Sequence, residues 1–232
     1  MAAIVEKPKV KLDFNKAHTI YVNSKEQKIV GYSAALGVLN KPALIPWAYN
    51  RGREGLELYE SRDKAADIGT IIHARIMAYF LEYEIDDCNI SQETWKLTEN
   101  SLGSFYEWVK PRNVKPMLIE TPLISEKYQY GGTPDVYGEM DGQFTLLDFK
   151  TGSGIYDEHS LQLAAYSQLL TENGYNHTKC VILNIPKSSD DSFSIKSISS
   201  KNLKLEFKLF LKCVEIYYLQ KEIKDRKKGG VI

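Results

Sequence analysis

The chain has 232 residues, enough for one domain with a full hydrophobic core or for a core with an added lobe. Hydrophobic residues make up 43% and charged residues 26%, a soluble globular balance that excludes general disorder. The formal net charge of zero excludes an overall basic coat, while leaving room for a local positive groove.

Three cysteines, Cys88, Cys180 and Cys213, lie far apart without a CxxC pair, so neither a structural zinc site nor an iron–sulfur cluster is expected. Their sparse, odd count fits a reducing compartment. The opening MAAIVEKPKVKLDF has no apolar run of signal-peptide length, and no later stretch is apolar enough to span a membrane. The expectation is a cytoplasmic protein that does not engage a membrane.

Along the chain, the alternation from His18 to Val22 and from Lys28 to Tyr32 predicts a short hairpin. Ser33 to Asn50 reads as a short helix, a turn at Lys41-Pro42 and a second apolar piece carrying Trp47 and Tyr49. Residues 51–66 are highly charged. Ile72, Ile76, Phe80 and Tyr83 recur at helical spacing and predict a helix over 68–83. A second helix covers about 91–109 and stops before Pro111. Strands are predicted at 117–125, 136–140, 143–149, 179–185 and 193–198, with helices at about 158–170 and 202–221. Repeats and low-complexity tracts are absent. The pattern is that of an α/β or α+β core with helices ahead of it.

The informative stretch is Gly131 to Gly152, GGTPDVYGEMDGQFTLLDFKTG. Asp141-Gly142 is a strong hairpin turn between two β-prone runs. Asp135 lies six residues before Asp141, and Asp148 six after Gly142, so a symmetric hairpin sets the two carboxylates opposite each other. Lys150, two positions on, shares their face by strand alternation. Two carboxylates so close repel unless a cation lies between them. Mg²⁺ or Mn²⁺ accepts such oxygens, and the chemistry this implies is phosphodiester hydrolysis. Asp-x-Lys alone is common in surface ion pairs; the hairpin register and the apolar run Phe144 to Leu147 leading into it distinguish this one.

These residues resemble the PD-(D/E)XK nuclease superfamily, here as Pro134-Asp135 and Asp148-Phe149-Lys150. The order GGTPD, LLDFKTG, LQLAAY is similar to the RecB-like branch, which includes phage-type and mitochondrial genome maintenance exonucleases. The resemblance runs from about Ser33 to Ile198. It implies a restriction-endonuclease-like core, a central mixed sheet flanked by helices, over 116–232. Residues 1–115 would form an N-terminal helical extension contributing the active-site histidine, in one compact unit with the core.

The resemblance also implies roles. Asp135, Asp148, the Phe149 carbonyl, His73 and Glu120 would hold one or two Mg²⁺ or Mn²⁺ ions, and Lys150 would orient the attacking water. Gln162 and Tyr166, one turn apart on the helix after Lys150, would line the site and meet nucleic acid. Gly69, four residues before His73, would permit close approach. Glu126 is the rival to Glu120. Ser33, Lys41 and Trp47 would touch phosphates or bases, although core packing and a helix cap at Ser33 account for that segment equally well. Arg51, Arg53, Arg62 and Arg75 are candidates for phosphate contacts, against the plainer reading of a solvated face.

The activity so implied is a metal-dependent DNA exonuclease acting at single-stranded or processed ends in replication, recombination or repair. Without a P-loop, any unwinding must come from a helicase partner, and a recombinase or single-strand-binding protein would be a fitting companion. A phage-encoded enzyme would work in the host cytoplasm. An endonuclease of the same fold and a non-catalytic nucleic-acid-binding module are the alternatives.

Overall fold

A computed structural model describes residues 9–11, 19–41, 44–86, 90–187 and 193–228. His18, Pro42 and Cys88 lie outside the described residues. In chain order, β1 (Lys9–Lys11) pairs in parallel with the later β4 (Glu84–Asp86). The predicted hairpin is β2 (Tyr21–Val22) and β3 (Lys28–Gly31), antiparallel, and α1 (Tyr32–Leu36) follows without a break.

Helix α2 (Leu44–Arg53) precedes α3 (Leu58–Leu81), which starts ten residues before the apolar repeat that predicted it. Glu, Lys, Arg and Ala are good helix formers, so a charged run without an apolar stripe conceals a helix. Helix α4 (Gln92–Val109) begins where expected, with the Ser91 hydroxyl accepting the Thr94 N–H.

One expected element divides. Met117 to Ser125 is not a single strand but the end of β5 (Val114–Ile119) and β6 (Leu123–Ser125), in different sheets. Glu120 between them is left-handed, with φ 42°, and the following Thr121-Pro122 step removes a ladder donor. Strand β5 also starts ahead of Pro116. Proline is tolerated there because β5 is an edge strand and its register shifts beside Pro116. The short β7 (Tyr130–Gly132) was hidden by its glycines.

Strands β8 (Val136–Met140) and β9 (Gln143–Lys150) form the hairpin predicted from Asp141-Gly142, whose φ values of 52° and 80° are those of a primed turn. Helix α5 (Asp157–Glu172) crosses to β10 (Lys179–Asn184), which pairs with β9 in parallel. Strand β11 (Ser194–Ser199), a 3₁₀ turn at Ser200–Leu203 and α6 (Lys204–Lys228) complete the described chain. The basic end, 224–228, is helical.

The central sheet is mixed, in the order β11-β10-β9-β8-β5, and a smaller sheet runs β2-β3-β7-β6. Helices cover both faces of the central sheet. Leu146, Cys180 and Ile182 pack with α5 and α6 through Leu163, Ala164, Phe210 and Val214. Their neighbours Leu147, Phe149, Val181 and Leu183 pack the other way, with Ile72 and Ile76 of α3 and Leu102 and Phe105 of α4. A strand buried on both faces reads as an unbroken apolar run, which is why 146–149 and 180–183 lack polar alternation apart from Asp148. Among the described residues no helix is long and apolar enough to cross a membrane.

Candidate active site

The register Val136↔Leu147 places Asp135, immediately before β8, at the level of Asp148 on β9. The Phe149 N–H donates to Asp135 Oδ2 at 2.7 Å, fixing the carboxylate against the neighbouring strand. Asp135 Oδ1 lies 3.2 Å from His73 Nε2, and the other ring nitrogen, Nδ1, lies 3.4 Å from Glu120 Oε1. The left-handed turn that ends β5 brings Glu120 there, with its N–H donating to the Asp135 carbonyl at 2.9 Å. A structural irregularity thus completes a Glu–His–Asp chain.

Asp148 faces a different set. Gln162 Nε2 of α5 donates to Asp148 Oδ1 at 2.9 Å, and Lys150 Nζ sits 2.6 Å from Oδ2. Oδ2 is buried, and the close ion pair with Lys150 is what compensates its charge. Asp148 is fully buried, and Asp135 and Gln162 nearly so. Buried charges persist only when compensated.

The electrostatics separate the two acids. Burial works against charge on Asp135, but His73, then Lys150 and the Phe149 amide, outweigh it and hold the carboxyl below its usual range. Asp148 is pushed up to about 6 by burial, with the Asp135 charge adding to this and Lys150 opposing it. Burial would lower both cations, yet His73 is raised by Asp135 and Glu120, and Lys150 by Asp148 and Asp135. The two acids therefore act as a coupled system with two protein cations.

Helix α3 reaches this point because residue 69 is glycine. A Cβ there would lie 2.7 Å from the Thr151 hydroxyl, just beyond Lys150. The close approach sets His73, one turn later, against Asp135.

Of the residues singled out from sequence, His73, Glu120, Asp135, Asp148, Phe149, Lys150 and Gln162 are brought together. Glu126 is elsewhere, accepting the Ser24 N–H. Tyr166 is buried, its ring 4.8 Å from that of Tyr32, and Asp135 and Asp148 both act on its hydroxyl. Ser33 is exposed inside α1; it does not cap that helix, whose N-cap is Gly31. Trp47 is half-buried on α2, and Lys41 pairs with Glu158. Arg75 belongs to the α3–α4 contact: its guanidinium lies 4.0 Å over the Trp95 ring and donates to Thr98 Oγ1 at 2.8 Å. Arg51 pairs with Glu54, and Arg53 lies over Tyr49. The side chain of Arg62 lies outside the described ones.

Three residues were missed. The Tyr32 ring packs edge-on against Tyr166, and burial, opposed by Lys150, raises its hydroxyl pKa; its place directly after a β-prone run was the available signal. Asn184, at the register position of Lys150, exchanges hydrogen bonds with the Gly152 backbone at 3.0 and 3.2 Å and steadies the chain leaving β9. His159 Nδ1 accepts the Tyr156 N–H, and burial followed by Lys150 pushes the imidazole down to about 4. Neither of these two has a sequence signature.

The donor set suits a hard cation, with clustered carboxylate oxygens, one of them buried against the Lys150 ammonium. Among the described residues, however, no three His, Cys, Asp or Glu side chains converge as metal ligands do. His73, its pKa raised by these acids, lies between Asp135 and Glu120, and the Lys150 ammonium lies against Asp148.

No protein-family model and no curated protein matches the sequence. Among solved structures, the chain is similar to an exonuclease candidate from Eubacterium rectale, at 12% identity over 71% of this chain and 69% of that one, with a TM-score of 0.48. It is also similar to an alkaline exonuclease from Laribacter hongkongensis, at 15% identity over 85% of this chain and 94% of that one, with a TM-score of 0.35. That enzyme in complex with dAMP matches at 14% identity over 88% and 95%, with a TM-score of 0.36. These are likenesses of partial backbone arrangement.

Proposed function

We propose that this chain is a metal-dependent DNA exonuclease of the PD-(D/E)XK superfamily, RecB-like branch, acting at single-stranded or processed ends. The observation that carries the reading is the buried pair Asp135 and Asp148 at one end of a β-hairpin, with Lys150 ion-paired at 2.6 Å to a buried Asp148 oxygen. An arrangement that costs repulsion and desolvation serves stability poorly and suits a divalent cation.

Asp135, Asp148 and Glu120 would hold Mg²⁺ or Mn²⁺, with the Phe149 carbonyl and His73 as further donors. When bound, the ion supplies acidity to water and neutralises charge on the phosphate. Lys150 positions the water and donates to the phosphate oxygens as their charge rises. Gln162 fixes the rotamer of Asp148, and the Glu120–His73 pair orients Asp135, so that both carboxylates are aimed before substrate arrives. Arg53, exposed on α2, suits a backbone contact, whereas Tyr166 acts from within the core.

The test incubates the protein with end-labelled linear single-stranded DNA, linear duplex and closed circular single-stranded DNA, each with Mg²⁺, Mn²⁺ or EDTA. Metal-dependent loss of linear DNA with the circle intact, abolished in a folded Lys150→Ala variant, is the expected result. Cleavage of the circle replaces the exonuclease with an endonuclease. Binding without cleavage of any substrate refutes the catalytic reading.

A further inference from the structure

The inner face of α6 is spent on the core: Leu203, just ahead of it, and Phe210, Cys213 and Val214 are buried against α5 and the central sheet. Its outer face carries a second apolar stripe that no other element among the described residues covers. Leu205, Leu209, Ile216, Leu219 and Ile223 are 75%, 49%, 43%, 53% and 49% exposed. With Lys212 they follow alternating steps of four and three residues, the 3.5-residue repeat of a coiled-coil seam. Isolated exposed leucines are ordinary, but this stripe is continuous along most of a 25-residue helix.

We propose that the outer face of α6 is a self-association seam on which a second copy of this chain packs antiparallel. The stripe is complementary to itself in that direction. One two-fold register sets Leu205 against the partner's Ile223, Leu209 against the partner's Leu219, and Lys212 against the partner's Ile216. The same register puts Lys208 beside the partner's Glu222, giving two opposite-charge pairs by symmetry. Each Lys212 packs its stem on isoleucine while Glu215 of its own helix holds the ammonium at 2.7 Å. Glu215 meets the partner's Glu215 near the axis, a repulsion that this ion pair offsets.

A parallel pairing is the poorer fit. It sets Lys212 against the partner's Lys212 in the middle of the seam, and Arg226 against the partner's Arg226 near its C-terminal end. The charge pattern therefore selects the second copy and its direction together.

Sedimentation velocity on the full chain, from micromolar to submillimolar concentration, reads the proposal directly. Concentration-dependent dimerisation is expected. Leu209→Glu and Leu219→Glu raise the dissociation constant by more than about tenfold, with thermal melts showing that both variants fold. Lys208→Glu weakens the dimer several-fold, and adding Glu222→Lys restores it. In a Cys88→Ser background, with Cys180 and Cys213 buried, Glu215→Cys forms an intersubunit disulfide under oxidation and Leu209→Cys does not. A monomer at every concentration overturns the proposal, as does a dimer indifferent to both leucine variants. A disulfide through Leu209→Cys alone overturns the antiparallel register. Each readout is independent of nuclease activity.

Discussion

Replacing Asp148 by Asn isolates the cost of the buried carboxylate pair. In the folded chain this carboxyl is pushed from its ordinary 3.8 to about 6 by burial, with the Asp135 charge adding and Lys150 opposing. Between those values the folded state holds a proton that the unfolded chain has released. The contribution of this group to wild-type stability therefore falls as pH rises through this window and levels off above it. Between pH 4 and pH 8 the loss amounts to about 2–3 kcal/mol, at roughly 1.4 kcal/mol for each tenfold difference in proton affinity between folded and unfolded chain. Asparagine does not titrate, so the variant escapes this loss. It does bring a cost of its own, because its amide faces the Lys150 ammonium, of about 1–3 kcal/mol. In the variant Lys150 loses the Asp148 charge, the chief cause of its raised pKa, and keeps that of Asp135 against the burial that lowers it. The decisive quantity is the change with pH of the stability difference between variant and wild type. Urea titrations in EDTA at pH 4 and pH 8 measure it, and the difference should move in favour of the variant by about 2–3 kcal/mol. A difference that is the same at both pH values would refute a raised, repelled carboxylate and, with it, the physical case for a cation site.

Saturating Mn²⁺ should stabilise the wild type by about 2–3 kcal/mol at roughly one hundred times its dissociation constant, read as a rise in melting temperature. Asp135→Asn should lose most of that rise; equal rises in both proteins would place the ion elsewhere. Gly69→Ala sets a methyl 2.7 Å from Thr151 Oγ1 and should cost about 1–3 kcal/mol while lowering any cleavage rate. Adding Thr151→Ala should recover part of both, and no recovery would deny the contact. Arg75→Ala should destabilise the fold by about 1–3 kcal/mol, through the lost Trp95 and Thr98 contacts, and leave DNA affinity unchanged in a filter-binding assay. Weaker DNA binding at unaltered stability would return Arg75 to the substrate surface.

Much of the site was legible because its central part is local. The Asp141-Gly142 turn determines the register of one hairpin, and the register alone sets Asp135 level with Asp148 and leaves Lys150 two residues on. Gln162 and Tyr166 follow from helical spacing within a strongly patterned segment. Where a signal depended on an apolar stripe, it failed if the stripe was absent, as in the first ten residues of α3, or interrupted, as at Glu120.

By itself, then, the sequence determined the elements whose period is written in neighbouring residues, together with the two acids and the lysine that one turn brings together. Tertiary structure alone decided the rest. It joined Glu120 and His73 to Asp135, because a left-handed break in one strand and a close helix approach at Gly69 are set by distant packing. It buried Asp148 between two helical layers, which is what raises its pKa. It turned Arg75 toward Trp95 and left the second stripe of α6 facing outward. Burial and long-range contact depend on which surfaces meet, and local periodicity carries no record of that.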